Sequence, residues 1–190
     1  MTQNLLLAAG SGTRSGGEKL FWRFKDKPII YHSVANSLAA QMPTTLVLGY
    51  RADEIRVLIT DLLSDPLLKI VINEHFERGQ GSSTKVGAKE LDRTKRFFIS
   101  LGDMPLIEPK HYHFLAQFSE AVVRPVYKGT IGHPVLHDPF FIDKILLQPD
   151  SFTVRELLST YEVKKIAVDD SAYIRDIDTL QNYHSLLRDE

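Results

Sequence analysis

The feature that most narrows the fold of this chain is an alternation. Short apolar runs of strand length, "NLLLA" (4–8), "TTLVLGY" (44–50), "LKIVINE" (68–74), "RFFISLG" (96–102), "AVVRPVY" (121–127) and "VKKIAV" (163–168), are separated by segments whose apolar residues recur every three or four positions. Those segments are "PIIYHSVANSLAAQ", "ADEIRVLITDLL", "SSTKVGAKELD", "PKHYHFLAQFS" and "FTVRELLSTY", with Pro28 and Pro109 where a first helical turn tolerates proline. Near-continuous apolar runs suit strands buried on both faces, and the periodicity between them suits helices that cover those faces. The order predicts βαβ units: an α/β fold, a three-layer α/β/α sandwich around a mostly parallel sheet. At 190 residues the chain suffices for one sizeable core, so a single domain spanning 1–190 is expected. The segment 125–150, containing "KGTIGHPVLHDP", breaks the rhythm and is expected to be an excursion lying over the sheet.

Charge and composition remove several function classes. A formal net charge of -1, from 23 basic and 24 acidic residues with no long run of either sign, provides no field for nucleic acid or an anionic membrane. The partner is expected to be small. No cysteine is present, which excludes disulfides, thiolate metal sites and cysteine nucleophiles. No window approaches the ~18 apolar residues of a membrane span and no basic n-region precedes "LLLAAG", so a cytoplasmic location is expected.

Ligands of open α/β sheets bind beyond the carboxyl ends of the strands. That rule selects the glycine loop 10–19, Tyr50-Arg51, the stretch 73–81, Asp103-Met104-Pro105 and the turn around Asp176. The loop fits neither common phosphate motif. A dinucleotide fingerprint starting at Gly10 and Gly12 needs glycine where Ser15 stands, and a P-loop starting at Gly12 and Gly17 needs lysine where Glu18 stands. What remains is a strand ending in two alanines, glycines whose amides can close on phosphate oxygens, and Arg14 and Lys19 to supply charge, which suits a triphosphate. Asp103 ends a strand ahead of Pro105, where a carboxylate serves either Mg2+ or a turn. Asp176 and Asp178 alternate on an extended segment; Asp178 has a capping duty through Asp178-x-x-Gln181, and Asp176 has none, which makes Asp176 the expected second metal ligand and Asp178 mainly structural. His111 and His113 diverge if their segment is helical, which argues against a zinc pair.

"LAAGSGTRSGGEKL" resembles the signature of the MobA-like nucleotidyltransferases, roughly L-A-[AG]-G-x-x-x-R-x-G-x-x-K. Further matches follow in order: "GQGSSTKVG" (79–87), "LGDMPLI" (101–107), "GHPVLH" (132–137) and "DIDT" (176–179). The resemblance implies a Rossmann-like nucleotidyltransferase sheet and a Mg2+-dependent transfer of a nucleotidyl group with release of pyrophosphate. Ala9, where a sister branch has glycine, and "GHPVL" are similar to the molybdenum cofactor cytidylyltransferase (MocA-like) branch, which implies CTP rather than GTP and a molybdopterin-type acceptor, with a molybdoenzyme as a possible recipient of the product. Carried over by the same resemblance, Arg14 and Lys19 are catalytic, Leu7, Ala8, Ala9, Gly10, Gly12 and Ser83 contact the nucleotide, Asp103 and Asp176 hold the metal, and His133 contacts the acceptor beside the 125–150 segment. Ser15, where relatives often carry Met or Phe, and the serine run shifted toward Gly81 are departures that bear on base recognition. Transfer to a sugar or polyol phosphate, guanylyl transfer, and a catalytically silent cofactor-delivery chaperone are the rival readings.

Overall fold

The computed structural model describes residues 2–188, apart from the side chain of Arg14. The chain opens with β1 (Gln3–Ala8), the glycine loop, a short hairpin of β2 (Arg23–Phe24) and β3 (Lys27–Pro28), and α1 (Ile29–Ala39). Next come β4 (Thr44–Leu48), α2 (Ala52–Leu58), β5 (Leu68–Ile72), α3 (Gln80–Ala88), β6 (Phe97–Leu101), α4 (Pro109–Ala116) and β7 (Val122–Tyr127). The remainder is β8 (Thr130–Ile131), β9 (Val135–His137), α5 (Phe141–Leu146), α6 (Val154–Leu158), β10 (Lys164–Val168) and α7 (Leu180–Arg188). Each apolar run of the sequence forms a strand. The periodic run 52–63 breaks early, into α2 and a 3-10 turn at Thr60–Leu62, where the Thr60 hydroxyl donates to the Val57 carbonyl at 2.8 Å and competes with helical continuation.

The main sheet runs β10-β7-β9-β6-β1-β4-β5, with β8 pairing β7. β1 pairs in parallel with β4 and β6, β4 with β5, and β7 with β10. β1 is buried at every position because successive side chains serve opposite layers. Leu5 and Leu7 pack with Val47, Phe97 and Phe141, whereas Leu6 and Ala8 pack with Ile30, Val34 and Ile55. α3 approaches this sheet so closely that a Cβ on Gly87 would stand 2.2 Å from Leu5 Cδ1 and 2.6 Å from Val47 Cγ2, which only glycine avoids. Inside, Asn4 donates to Ser37 Oγ at 2.7 Å and accepts from Ser100 Oγ at 2.9 Å, so its buried amide is satisfied from both sides.

The 125–150 segment does not lie over the sheet as the sequence suggested. It enters the sheet: β9 inserts antiparallel between β6 and β7, pairing Val135 with Ile99 and His137 with Val122. Its proline and glycine content obscured a strand of only three buried residues, too short to register as an apolar run. Among the described residues no helix is long and apolar enough to cross a membrane.

Candidate active site

A cleft of about 550 Å³ opens at the carboxyl ends of β1 and β6, bordered by Leu7, Ala8, Ala9, Gly10, Gly12 and Ser83 and by Lys19, Asp103, Asp176 and Asp178. The glycine loop that forms one wall is folded by its own backbone. Gly12 takes a φ of 55°, and its carbonyl accepts from the amides of Ser15 and Gly17 at 2.9 and 3.0 Å. Ser15 donates its hydroxyl to the same carbonyl at 2.8 Å, so the departure from the family pattern at this position closes the loop on itself. From outside, Arg51 donates to Glu18 at 2.6 Å and stacks 3.9 Å over Phe21. The loop that carries Lys19 is therefore clamped before any ligand arrives.

Lys19 is the electrostatic centre of the cleft. Its Nζ lies 2.5 Å from Asp103 Oδ2 and 2.7 Å from Asp178 Oδ1, with all three side chains less than a fifth exposed. Burial disfavours the ammonium, but the charges and hydrogen bonds of Asp103 and Asp178 outweigh it and hold the pKa above that of an ordinary lysine. Asp176 has no such partner. Desolvation, followed by the charges of Asp103 and Asp178, raises its carboxyl, an effect tempered by its exposure to solvent. The 176–178 segment is held by the Ile177 amide, which donates to the Asp103 carbonyl at 3.0 Å, while the Ile177 side chain packs with Phe24, Ile29 and Leu186. With Ile177 turned into the core, its two neighbours face the other way, into the cleft.

This arrangement suits a hard divalent cation. Asp103 Oδ2 is taken by Lys19, but Asp103 Oδ1 is buried without a hydrogen-bond partner. The donors nearby are carboxylate oxygens, the ligand type that Mg2+ and Mn2+ take, and one or two of them suffice when phosphate oxygens and water complete the shell. Among the described residues no group of three or more His, Cys, Asp or Glu is placed to hold a metal ion.

The capping duty expected for Asp178 belongs elsewhere. Thr179 and Asn182 form the reciprocal bonds at the start of α7, Thr179 N to Asn182 Oδ1 at 3.1 Å and Asn182 N to Thr179 Oγ1 at 3.2 Å. The cap lies one residue later than the sequence suggested, and Asp178 pairs with Lys19. Ser83 is buried on α3 and accepts from Asn73 Nδ2 at 2.9 Å, a contact that fixes the start of the helix against β5. His111 accepts from the Glu108 amide and reaches Asp170, while His113 meets the Ala40 carbonyl, so the two diverge as a helix requires. Arg14 lies in the turn Thr13–Ser15, and its side chain falls outside the described residues. His133 does not border the main cleft; it lines a smaller recess next to it. Phe76, Glu77 and Gln80, which do border the cleft, were not singled out within the 73–81 loop because nothing in their types distinguishes ligand contact from surface.

The sequence profile described as the MobA-like NTP transferase domain matches residues 4–165. A molybdenum cofactor cytidylyltransferase of Escherichia coli (strain K12) is 23% identical over 180 residues, 94% of this chain and 92% of that protein. A probable molybdenum cofactor guanylyltransferase of Thermococcus sibiricus is 25% identical over 69% of this chain and 65% of its own length. Among solved structures, Rv0371c from Mycobacterium tuberculosis superposes with a TM-score of 0.84 at 20% identity, covering 98% of this chain and 97% of that one. A complex of Rv0371c with manganese gives 0.81 at 20% identity, covering 100% and 99%.

Proposed function

The chain belongs to the MobA-like NTP transferase family, and from that premise we propose that it transfers CMP from CTP to the phosphate of a molybdopterin-type acceptor, with Mg2+ as the metal and pyrophosphate as the second product. The observation that carries this reading is Lys19 held between Asp103 and Asp178 on the glycine-loop side of the cleft, with Asp103 Oδ1 left unpaired. An oxygen of the acceptor phosphate attacks the α-phosphorus, and the bond from that phosphorus to the oxygen bridging to the β-phosphate breaks. That oxygen leaves with pyrophosphate. The attacking phosphate is already an anion, so no strong base is needed and catalysis consists of positioning and charge neutralisation. Asp103 and Asp176 are the residues that would hold Mg2+, which when bound neutralises and orients the triphosphate. The backbone of Leu7, Ala8, Ala9, Gly10 and Gly12 faces the nucleotide, Ser83 helps orient it, and Arg14 and Lys19 counter the charge of the α-phosphate and the departing pyrophosphate.

Support for CTP over GTP comes from Ala9 at the cleft wall and from the cytidylyltransferase relative, which aligns over a larger share of the chain than the guanylyltransferase does. A molybdoenzyme that collects the product is the further partner in this reading. The test is pyrophosphate release across CTP, GTP, ATP and UTP, with and without molybdopterin. Release with CTP only when molybdopterin is present is the expected result. Release with a sugar or polyol phosphate alone, or with GTP in preference, would sink the assignment, and nucleotide binding without turnover in any combination would favour a delivery chaperone.

The carboxylates give a second, activity-free check. Asp176→Asn relieves repulsion with Asp103 and Asp178, so without added metal the Tm is expected to rise by about a degree or two, the effect being small because the group is exposed. The same variant is expected to lose most of the Tm increase that millimolar MnCl2 or MgCl2 produces in the unsubstituted protein. An undiminished increase, measured by differential scanning fluorimetry, would remove Asp176 from the metal.

A further inference from the structure

Beside the cleft lies a recess of about 110 Å³ lined by Gln80, Ile99, Arg124, His133, Thr153 and Arg155, among others. It continues the cleft along β6. Ile99 borders the recess, Leu101 on the same strand face borders the cleft, and Gln80 borders both. At a strand rise of about 3.3 Å per residue, Ile99 and Leu101 stand roughly 7 Å apart along β6.

No carboxylate lines this recess. The influences on Arg124 are its burial and then the charge of Arg155, both of which disfavour its guanidinium, with no acid to offset them. Arg124 Nε and His133 Nδ1 are buried without hydrogen-bond partners. Two like charges and two unsatisfied polar atoms around one small space are unfavourable in a structural role, since each buried polar atom without a partner carries a desolvation cost. A compact anion with several oxygens reverses the terms on the two arginines. It separates the two positive charges, accepts from Arg124 Nε, and gives the half-buried Arg124 and the exposed Arg155 the geometry that guanidinium groups match best. The volume admits one group of phosphate or carboxylate size.

We propose that the recess seats a second anionic group of the acceptor, a compact multi-oxygen anion distinct from the phosphate that is cytidylylated. The acceptor is then a molecule with a phosphate monoester at one end and another anionic centre set apart from it. This proposal rests on the transferase reading, and it gives His133 a defined contact: the ring sits against the second anion and not against the reacting phosphate.

The test follows the His133 ring resonances by NMR while sodium phosphate, and separately sodium molybdate, is titrated into the unsubstituted protein, Arg124→Gln and Arg155→Gln. Arg155 is exposed, so its variant keeps the fold even if the Arg124 variant does not. The expected result is a saturable shift in the unsubstituted protein with either anion or with one of them, the stronger ligand identifying the chemistry of the second group. Both variants are expected to bind about tenfold or more weakly. In steady state, the KM for acceptor is expected to rise about tenfold or more in Arg155→Gln while the KM for CTP changes by less than about twofold. A linear shift without saturation, equal affinity in the variants, or an unchanged acceptor KM overturns the proposal. Saturable binding at His133 in a protein that turns over no nucleotide with any acceptor upholds the anion site and rejects the transferase reading instead.

Discussion

Lys19→Ala is expected to lower pyrophosphate release by about three orders of magnitude or more, because a charge aimed at a triphosphate in a water-poor site supplies several kcal/mol of transition-state stabilisation. The residue is not one basic group among several on a loop. Its ammonium is fixed at 2.5 and 2.7 Å from two carboxylates, and the loop beneath it is fastened by Gly12, Ser15 and the Arg51 clamp on Glu18. Lys19→Arg is expected to recover little, since a planar guanidinium cannot place a compact charge between two carboxylates at those distances. The alanine variant also leaves Asp103, Asp176 and Asp178 facing one another without a cation, at a cost of about 1–2 kcal/mol, moderated by residual solvent. Added Mn2+ should therefore raise the Tm of Lys19→Ala by more than it raises that of the unsubstituted protein. Turnover within about tenfold of the original, measured as pyrophosphate released, would show that the ammonium does not act on the reacting phosphates.

What was legible in the sequence follows the strength of local signals. The central strands were readable because residues such as Leu5, Leu6 and Leu7 must be buried on both faces, which leaves an unbroken apolar run. β9 was not, since three residues flanked by Pro134 and Asp138 carry no period. The cleft opens where the rule that strand ends bind ligands points, and Lys19, the basic residue of the glycine loop, and Asp103, the carboxylate at the end of β6, both border it. Asp178 was misjudged by one residue of capping register: Asp178-x-x-Gln181 and Thr179-x-x-Asn182 are both plausible caps in sequence, and only the backbone geometry separates them. Arg124 and Arg155 stayed invisible because they are 31 positions apart by number and reach one recess only through the insertion of β9 beside β6.

Acid is expected to unfold this protein steeply and early, beginning near pH 6.5, through the histidines of the inserted segment. His137 is 1% exposed and stacked on Phe97 with ring centroids 5.1 Å apart, and neither ring nitrogen makes a hydrogen bond of good geometry, although the Val135 and Phe97 backbones lie close enough to favour its charged form slightly. Burial, with the charges of His133 and Arg124, pushes its pKa down to about 3; burial and Arg124 push His133 down to about 4. Unfolded, both titrate near 6.5. Between those values the unfolded chain binds protons that the native state refuses, so stability falls as pH falls, by about 1.4 kcal/mol per pH unit for each histidine. By pH 4.5 the two together remove about 5 kcal/mol, a large share of the 5–15 kcal/mol typical of a folded domain. Asp176 works in the opposite direction, because its raised carboxyl takes up a proton in the native state first, and it only partly offsets the loss. His137→Leu replaces an unsatisfied ring by an apolar group of similar size, so urea midpoints are expected to rise at neutral pH and the slope of stability between pH 6.5 and 4.5 to fall by about half. An unchanged slope would mean that His137 is protonated in the native protein, and that β9 is not sealed into the sheet at that position.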